Sequence, residues 1–152
     1  MKVFFSICLL WIASHSVFAE PAIRHFNADS YEKILSQYQQ QAFVVVLWSL
    51  DCPPCYKELE LLGRELQQQA FNLVLISTDG IESLDEVAAL LNRYGLQHSD
   101  NWLFIETSSA QLRYQIDPLW YGELPRSYLY NSNHQRVAVS GVISTSQLSK
   151  YK

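Results

Sequence analysis

Trp48-Ser49-Leu50-Asp51-Cys52-Pro53-Pro54-Cys55 decides how the chain is read. An apolar run at 42–47 leads into it, and a leucine-rich amphipathic stretch at about 54–69 leads out. Two cysteines two residues apart, where a buried strand gives way to a helix, have the spacing of a thiol–disulfide exchange pair. The prolines between them suit such a junction. Neither position needs to donate an N–H in a first helical turn, and each presets φ for the start of a helix.

Outward from the pair, the valine-rich run at 42–48 predicts a central strand covered on both faces. On the helix that follows, Leu59, Leu62 and Leu66 share one face, and Cys55 falls on it by the 100° step. Cys52 precedes the first full turn and is expected at an exposed tip. One sulfur should thus be buried and the other reachable.

The remaining chain alternates. A lead-in holds a candidate strand at 22–26, and Asp29 or Ser30 can cap a helix with Tyr31, Ile34, Leu35 and Tyr38 on its apolar face. Residues 71–77 form the next buried-strand candidate, followed by the turn Asp79-Gly80. A second helix carries the capping box Ser83-x-x-Glu86, the face Leu84, Val87, Leu90, Leu91 and Tyr94, and Gly95 at its C′ position. Residues 102–105 suit either a short strand or an ordered loop. A short helix at 109–116 stops at Asp117-Pro118. Strands at 127–130 and 137–142 flank the turn-rich 131–134, and Ser144 or Thr145 caps a last helix reaching Tyr151. Strand–helix alternation followed by a hairpin and a helix predicts an α/β fold with a mixed sheet.

Composition sets limits. The 152 residues are 49% apolar and 17% charged, without repeats, enough for one domain around one core. A formal net charge of −4, without clustered Lys or Arg, argues against a nucleic-acid or anionic-membrane surface. Residues 1–19 read as a removable signal peptide: Lys2, an apolar run at 3–13, and small residues ending Val17-Phe18-Ala19 before Glu20. That run is shorter than the roughly 20 residues a spanning helix needs. The alternative is an uncleaved anchor, the one case in which the chain would touch a membrane. Removal takes Cys8 away and leaves a domain at 20–152 whose only cysteines are Cys52 and Cys55. A loop that small cannot staple a fold usefully, so the pair is read as chemical.

Four features together resemble the thioredoxin fold and, within it, the exported TlpA/ResA-like thiol–disulfide oxidoreductases. They are Trp48-x-x-x-Cys52-Pro53-Pro54-Cys55 after an apolar strand, Glu58 three residues beyond the second cysteine, the segment from Gly122 to Leu129 containing Leu124-Pro125, and Gly141 closing the last strand. The resemblance implies a thioredoxin-like mixed sheet with helices on both faces, no cofactor, and a periplasmic or cell-envelope location. It further implies a disulfide cycle between Cys52 and Cys55. Protein clients with cysteines, such as apocytochrome c or other envelope proteins, would be reduced, and a membrane thiol carrier would supply electrons. Two departures stand out. Asp51 occupies a position that is commonly aromatic in the family, and Val46 occupies the place of the buried aspartate of thioredoxins proper.

Roles follow for named residues. Cys52 is the nucleophile, at a helix N-terminus where free N–H groups and the macrodipole favour a thiolate. Asp51 opposes this by like charge, or else serves as a helix cap. Cys55 is the resolving thiol, which must lose its proton to attack a mixed disulfide. Glu58, one turn on, is the candidate proton acceptor; the alternative is a surface glutamate paired with Lys57 or Arg64. Pro125 is expected to be cis and packed against the cysteine pair, leaving Leu124 as an edge for an extended client; the alternative is a trans proline opening a strand. Trp48, Tyr56, Trp120 and Tyr121 are candidates for an apolar rim or for core. His25, His98 and His134 lack ligand spacing and read as surface residues. Two other functions stay open: a disulfide oxidase or isomerase, and a Cu(I)-binding metallochaperone module using both thiols.

Overall fold

A computed structural model describes residues 23–105 and 109–151. The signal-peptide reading, with Cys8 in it, lies outside the described residues. β1 (Arg24–Phe26) and α1 (Ser30–Gln37) lead to β2 (Phe43–Trp48), then α2 (Pro53–Gln68) and β3 (Leu73–Ser77). A 3₁₀ turn (Ile81–Ser83) precedes α3 (Leu84–Arg93), β4 (Asp100–Phe104) and α4 (Ser109–Ile116). The hairpin β5 (Arg126–Tyr130) and β6 (Arg136–Ser140) and the short α5 (Thr145–Leu148) close the chain.

The strands form one mixed sheet in the order β1-β4-β3-β2-β5-β6. β2 lies between parallel β3 and antiparallel β5, and all six of its residues are buried. Because side chains alternate along a strand, β2 feeds two cores. Val44, Val46 and Trp48 pack with Cys55, Leu59 and Leu62 of α2, Val87 and Leu91 of α3, and Leu148 of α5. Phe43, Val45 and Leu47 pack on the other face with Tyr31 and Ile34 of α1 and Leu112 and Ile116 of α4. Each fully buried side chain of this kind contributes about 1.5–3 kcal/mol, so β2 anchors both layers.

Local chemistry explains the element ends. α3 stops at Gly95, whose φ of +71° suits a residue without Cβ. The Leu96 N–H reaches back to the Leu91 carbonyl (2.8 Å) and the Gly95 N–H to the Asn92 carbonyl (3.1 Å), a Schellman closure. Gly63 lets α2 lie against that end, since a Cβ there would sit 2.1 Å from the Tyr94 carbonyl oxygen.

Several local expectations need correction. Of the two readings for 102–105 the strand holds, but it starts earlier and spans Asp100–Phe104. The capping box at Ser83 does not form: the preceding 3₁₀ turn holds Ser83 at φ −94°, ψ 8°, away from the extended geometry a cap needs, and its hydroxyl makes no capping bond. A full capping box forms instead at Ser144 and Gln147, and α5 ends at Leu148, short of Tyr151. His134 is not a plain surface residue. Its ring packs by Phe43 and Tyr130 and bonds the Tyr38 carbonyl (2.9 Å).

Candidate active site

β2 delivers its last residue, Trp48, to one end of the sheet, and α2 starts five residues later. Pro53 and Pro54 occupy the first two helical positions, one residue earlier than expected, and Cys52 is the N-cap in extended geometry. Cys52 and Cys55 are joined as a disulfide with their Cα atoms 5.3 Å apart. Asp51 is therefore not the cap. It is exposed, and its N–H donates to Ser49 Oγ (3.2 Å).

Cys55 is fully buried and Cys52 is 7% exposed. The order of access matches the helical-face argument, but Cys52 is less open than a tip would be, because its sulfur packs with Trp48 and Cys55 in the core. The helix end also offers less to a thiolate than expected. The prolines carry no N–H, and the Cys55 N–H already donates to the Cys52 carbonyl (2.9 Å).

Glu58 is fully buried one turn beyond Cys55. Ser127 Oγ donates to its Oε1 (3.3 Å) and the Ile143 N–H to its Oε2 (2.8 Å), so the carboxyl ties α2 to β5 and to the segment before α5. Burial pushes its pKa up to about 7, partly offset by the Ile143 and Ser127 bonds. The surface alternative fails, since Arg64 pairs with Glu60 instead (3.4 Å).

The Leu124–Pro125 peptide bond is cis, and Pro125 is buried. Leu47 lies opposite Arg126 in the antiparallel β2–β5 register, so Pro125 arrives at the end of the sheet where Trp48 hands over to the cysteine loop. Leu124 precedes the ladder and packs against the core that holds both sulfurs.

The aromatic residues divide. Trp48 is fully buried and is core, not rim. Trp120 belongs to the opposite core, with Nε1 donating to the Glu123 carbonyl (2.9 Å). Tyr121 is 95% exposed, so of the two aromatic candidates on this segment only it offers surface, beside half-buried Leu124. Tyr56 turns its hydroxyl to the Leu50 carbonyl.

Two carboxylates that the sequence showed only as a turn and a helix stop organise the site. Asp79 accepts from Ser49 Oγ (2.9 Å), the Leu50 N–H (3.0 Å) and Ser77 Oγ (2.5 Å), clamping the loop before Cys52 to the end of β3. Asp117 accepts from Arg126 (3.0 Å), the Tyr128 hydroxyl (3.0 Å) and the Leu119 N–H (3.1 Å). Burial alone would raise its pKa, but these bonds and the Arg136 charge hold it below the usual carboxylate range. Arg126 also bonds Glu123 (3.2 Å), bracketing Leu124 and Pro125. The only signal for either role was polarity beside a turn. Among the described residues no group of three or more His, Cys, Asp or Glu side chains is placed to hold a metal ion.

A disulfide at a strand–helix junction, a buried carboxyl behind it and a cis-proline loop beside it sit on a thioredoxin-like sheet. Residues 18–116 match the AhpC/TSA family. The chain belongs to that family. No curated protein matches it. Among solved structures it is similar to a secreted Mycobacterium tuberculosis disulfide oxidoreductase homologous to Escherichia coli DsbE (18% identity, 76% of this chain and 83% of that one, TM-score 0.57). It is also similar to M. tuberculosis DsbF (14%, 76% and 81%, TM-score 0.59) and to a secreted thiol-disulfide isomerase from Corynebacterium glutamicum (18%, 77% and 71%, TM-score 0.56). At these identities the likeness shows the fold. This AhpC/TSA chain thus carries, on a thioredoxin-like frame, a disulfide-bonded cysteine pair at the start of α2.

Proposed function

We propose that the chain is an exported reductase of protein disulfides in the periplasm or cell envelope. The observation that carries this reading is Glu58, buried one turn from the buried Cys55 and titrating near neutrality. A resolving thiol without solvent access needs a proton acceptor beside it, and a carboxyl with a pKa near the working pH is suited to that task. In the reduced protein the Cys52 thiolate attacks a client disulfide, forming a mixed disulfide and releasing one client thiolate. Cys55 gives its proton to Glu58 and attacks Cys52 Sγ. The second client thiolate leaves, the client has gained two electrons, and the Cys52–Cys55 disulfide is restored. To reset the cycle, a donor thiol attacks Cys52, the more accessible of the two sulfurs. A membrane thiol carrier is the proposed donor, and the exposed face of Leu124 and Tyr121 is the proposed client edge. Clients would be envelope proteins with oxidised cysteine pairs, such as apocytochrome c.

The test is a pair of variants in the native host. Cys55→Ala should accumulate mixed disulfides with client proteins through Cys52, and Cys52→Ala should accumulate none. Recovery of no mixed disulfide would overturn the reading. A reduction potential near about −120 mV, that of a strong oxidant, would reverse the direction of the reaction.

A further inference from the structure

Asp51 is exposed immediately before the nucleophile, and among the described residues its carboxylate has no hydrogen bond or ion pair. The arginines of the β5–β6 hairpin are engaged elsewhere. Arg126 is bound by Asp117 and Glu123, and Arg136 pairs with Asp117 (3.3 Å). Lys57, exposed on α2, makes no ion pair with Asp51. The second carboxylate near the entrance, Glu123 just before Leu124-Pro125, is 43% exposed. The approach to Cys52 is therefore flanked by the exposed, unpaired carboxylate of Asp51, whereas Glu123 is paired with Arg126.

We propose that Asp51 is a specificity-determining residue that favours disulfides flanked by cationic groups and disfavours anionic ones. The inference rests on the reductase reading of Cys52 and Cys55. Any group bound to the sulfur that Cys52 attacks must pass within several ångströms of the adjacent Asp51 carboxylate. At about 6 Å in water a unit charge pair changes a rate about threefold in either direction, so a cation and an anion should differ by about tenfold. The effect should fade in high salt, because the site is exposed. Acidic low-molecular-weight thiols and their disulfides would be poor partners, and clients with Lys or Arg beside the target cysteine would be good ones.

The experiment uses the reduced protein and three small disulfides of similar size: aminoethyl, hydroxyethyl and carboxyethyl. In each case Cys52 displaces one alkyl thiolate and Cys55 the other, leaving the protein disulfide and two small thiols. Each rate is normalised to the same disulfide reacting with mercaptoethanol. The unaltered protein should prefer the amine over the carboxylate by about tenfold at low salt. Asp51→Asn should cut that ratio at least threefold, and 0.5 M salt should cut it similarly. A ratio near one in the unaltered protein, or one that Asp51→Asn leaves unchanged, overturns the proposal. A parallel shift of all three rates also overturns it, because that would mean Asp51 only tunes the Cys52 thiol. Failure to react with any of the three would instead overturn the reductase reading itself.

Discussion

Glu58 holds a proton to near pH 7 in the fold, whereas an ordinary glutamate releases it near 4.5. Between those values the unfolded chain binds fewer protons than the folded one, so stability falls as pH rises through this window and levels off above it. The full span corresponds to about 3 kcal/mol. Glu58→Gln keeps an acceptor for the Ile143 N–H and has no charge to bury. The variant should therefore be more stable than the parent at pH 8, by up to about 3 kcal/mol, and nearly equal to it at pH 5. Denaturant titrations of the oxidised protein at both values measure this, and a variant less stable at pH 8 would contradict it. The same substitution should slow the resolving step, since Cys55 loses its acceptor. The i, i+3 spacing already put Glu58 near Cys55. Its place at the border of the buried face was legible too, but its complete burial was not, because that depends on Ser127 and Ile143, far along the chain.

At the scale of elements, the loop between β2 and α2 is held from outside itself. The Leu50 N–H goes to Asp79, the Leu50 carbonyl takes the Tyr56 hydroxyl, and the Thr78 N–H bonds the Trp48 carbonyl (2.9 Å). Asp79→Ala should cost about 1–3 kcal/mol by leaving donors on this loop without their acceptor. Asp79→Asn, which still offers one oxygen, should cost less. Thermal denaturation of both variants checks the order, and equal losses would mean that the bonds to Ser49 and Leu50 contribute little. The strand and helix themselves were plain in the sequence: a valine run with both faces apolar, then leucines at helical spacing. Their clamp was not, because Asp79 before a glycine reads as a turn residue whatever it reaches across to. The Ser83 box shows the reverse error, a correct local motif displaced by the 3₁₀ turn ahead of it.

For the whole molecule, alternation along β2 determined which helices share a core, and that much could be read in order from Phe43 to Trp48. The connections that make the site one object each join separate segments: Asp79 to Leu50, Asp117 to Arg126, Glu58 to Ile143. No periodicity encodes such pairings. The last of them has a spectroscopic consequence. An amide proton resting on a titrating carboxyl changes its electronic environment when that carboxyl ionises, so the Ile143 amide is a built-in pH reporter for the core beside the sulfurs. In a heteronuclear NMR titration of the oxidised protein its resonance should move with a midpoint near pH 7. The Val44 amide, bonded to the Asn72 carbonyl (2.9 Å), should stay still. A flat Ile143 trace would place the proton elsewhere. A moving one would let the same peak follow the protonation of Glu58 as the disulfide opens and closes, from a backbone position 85 residues down the chain.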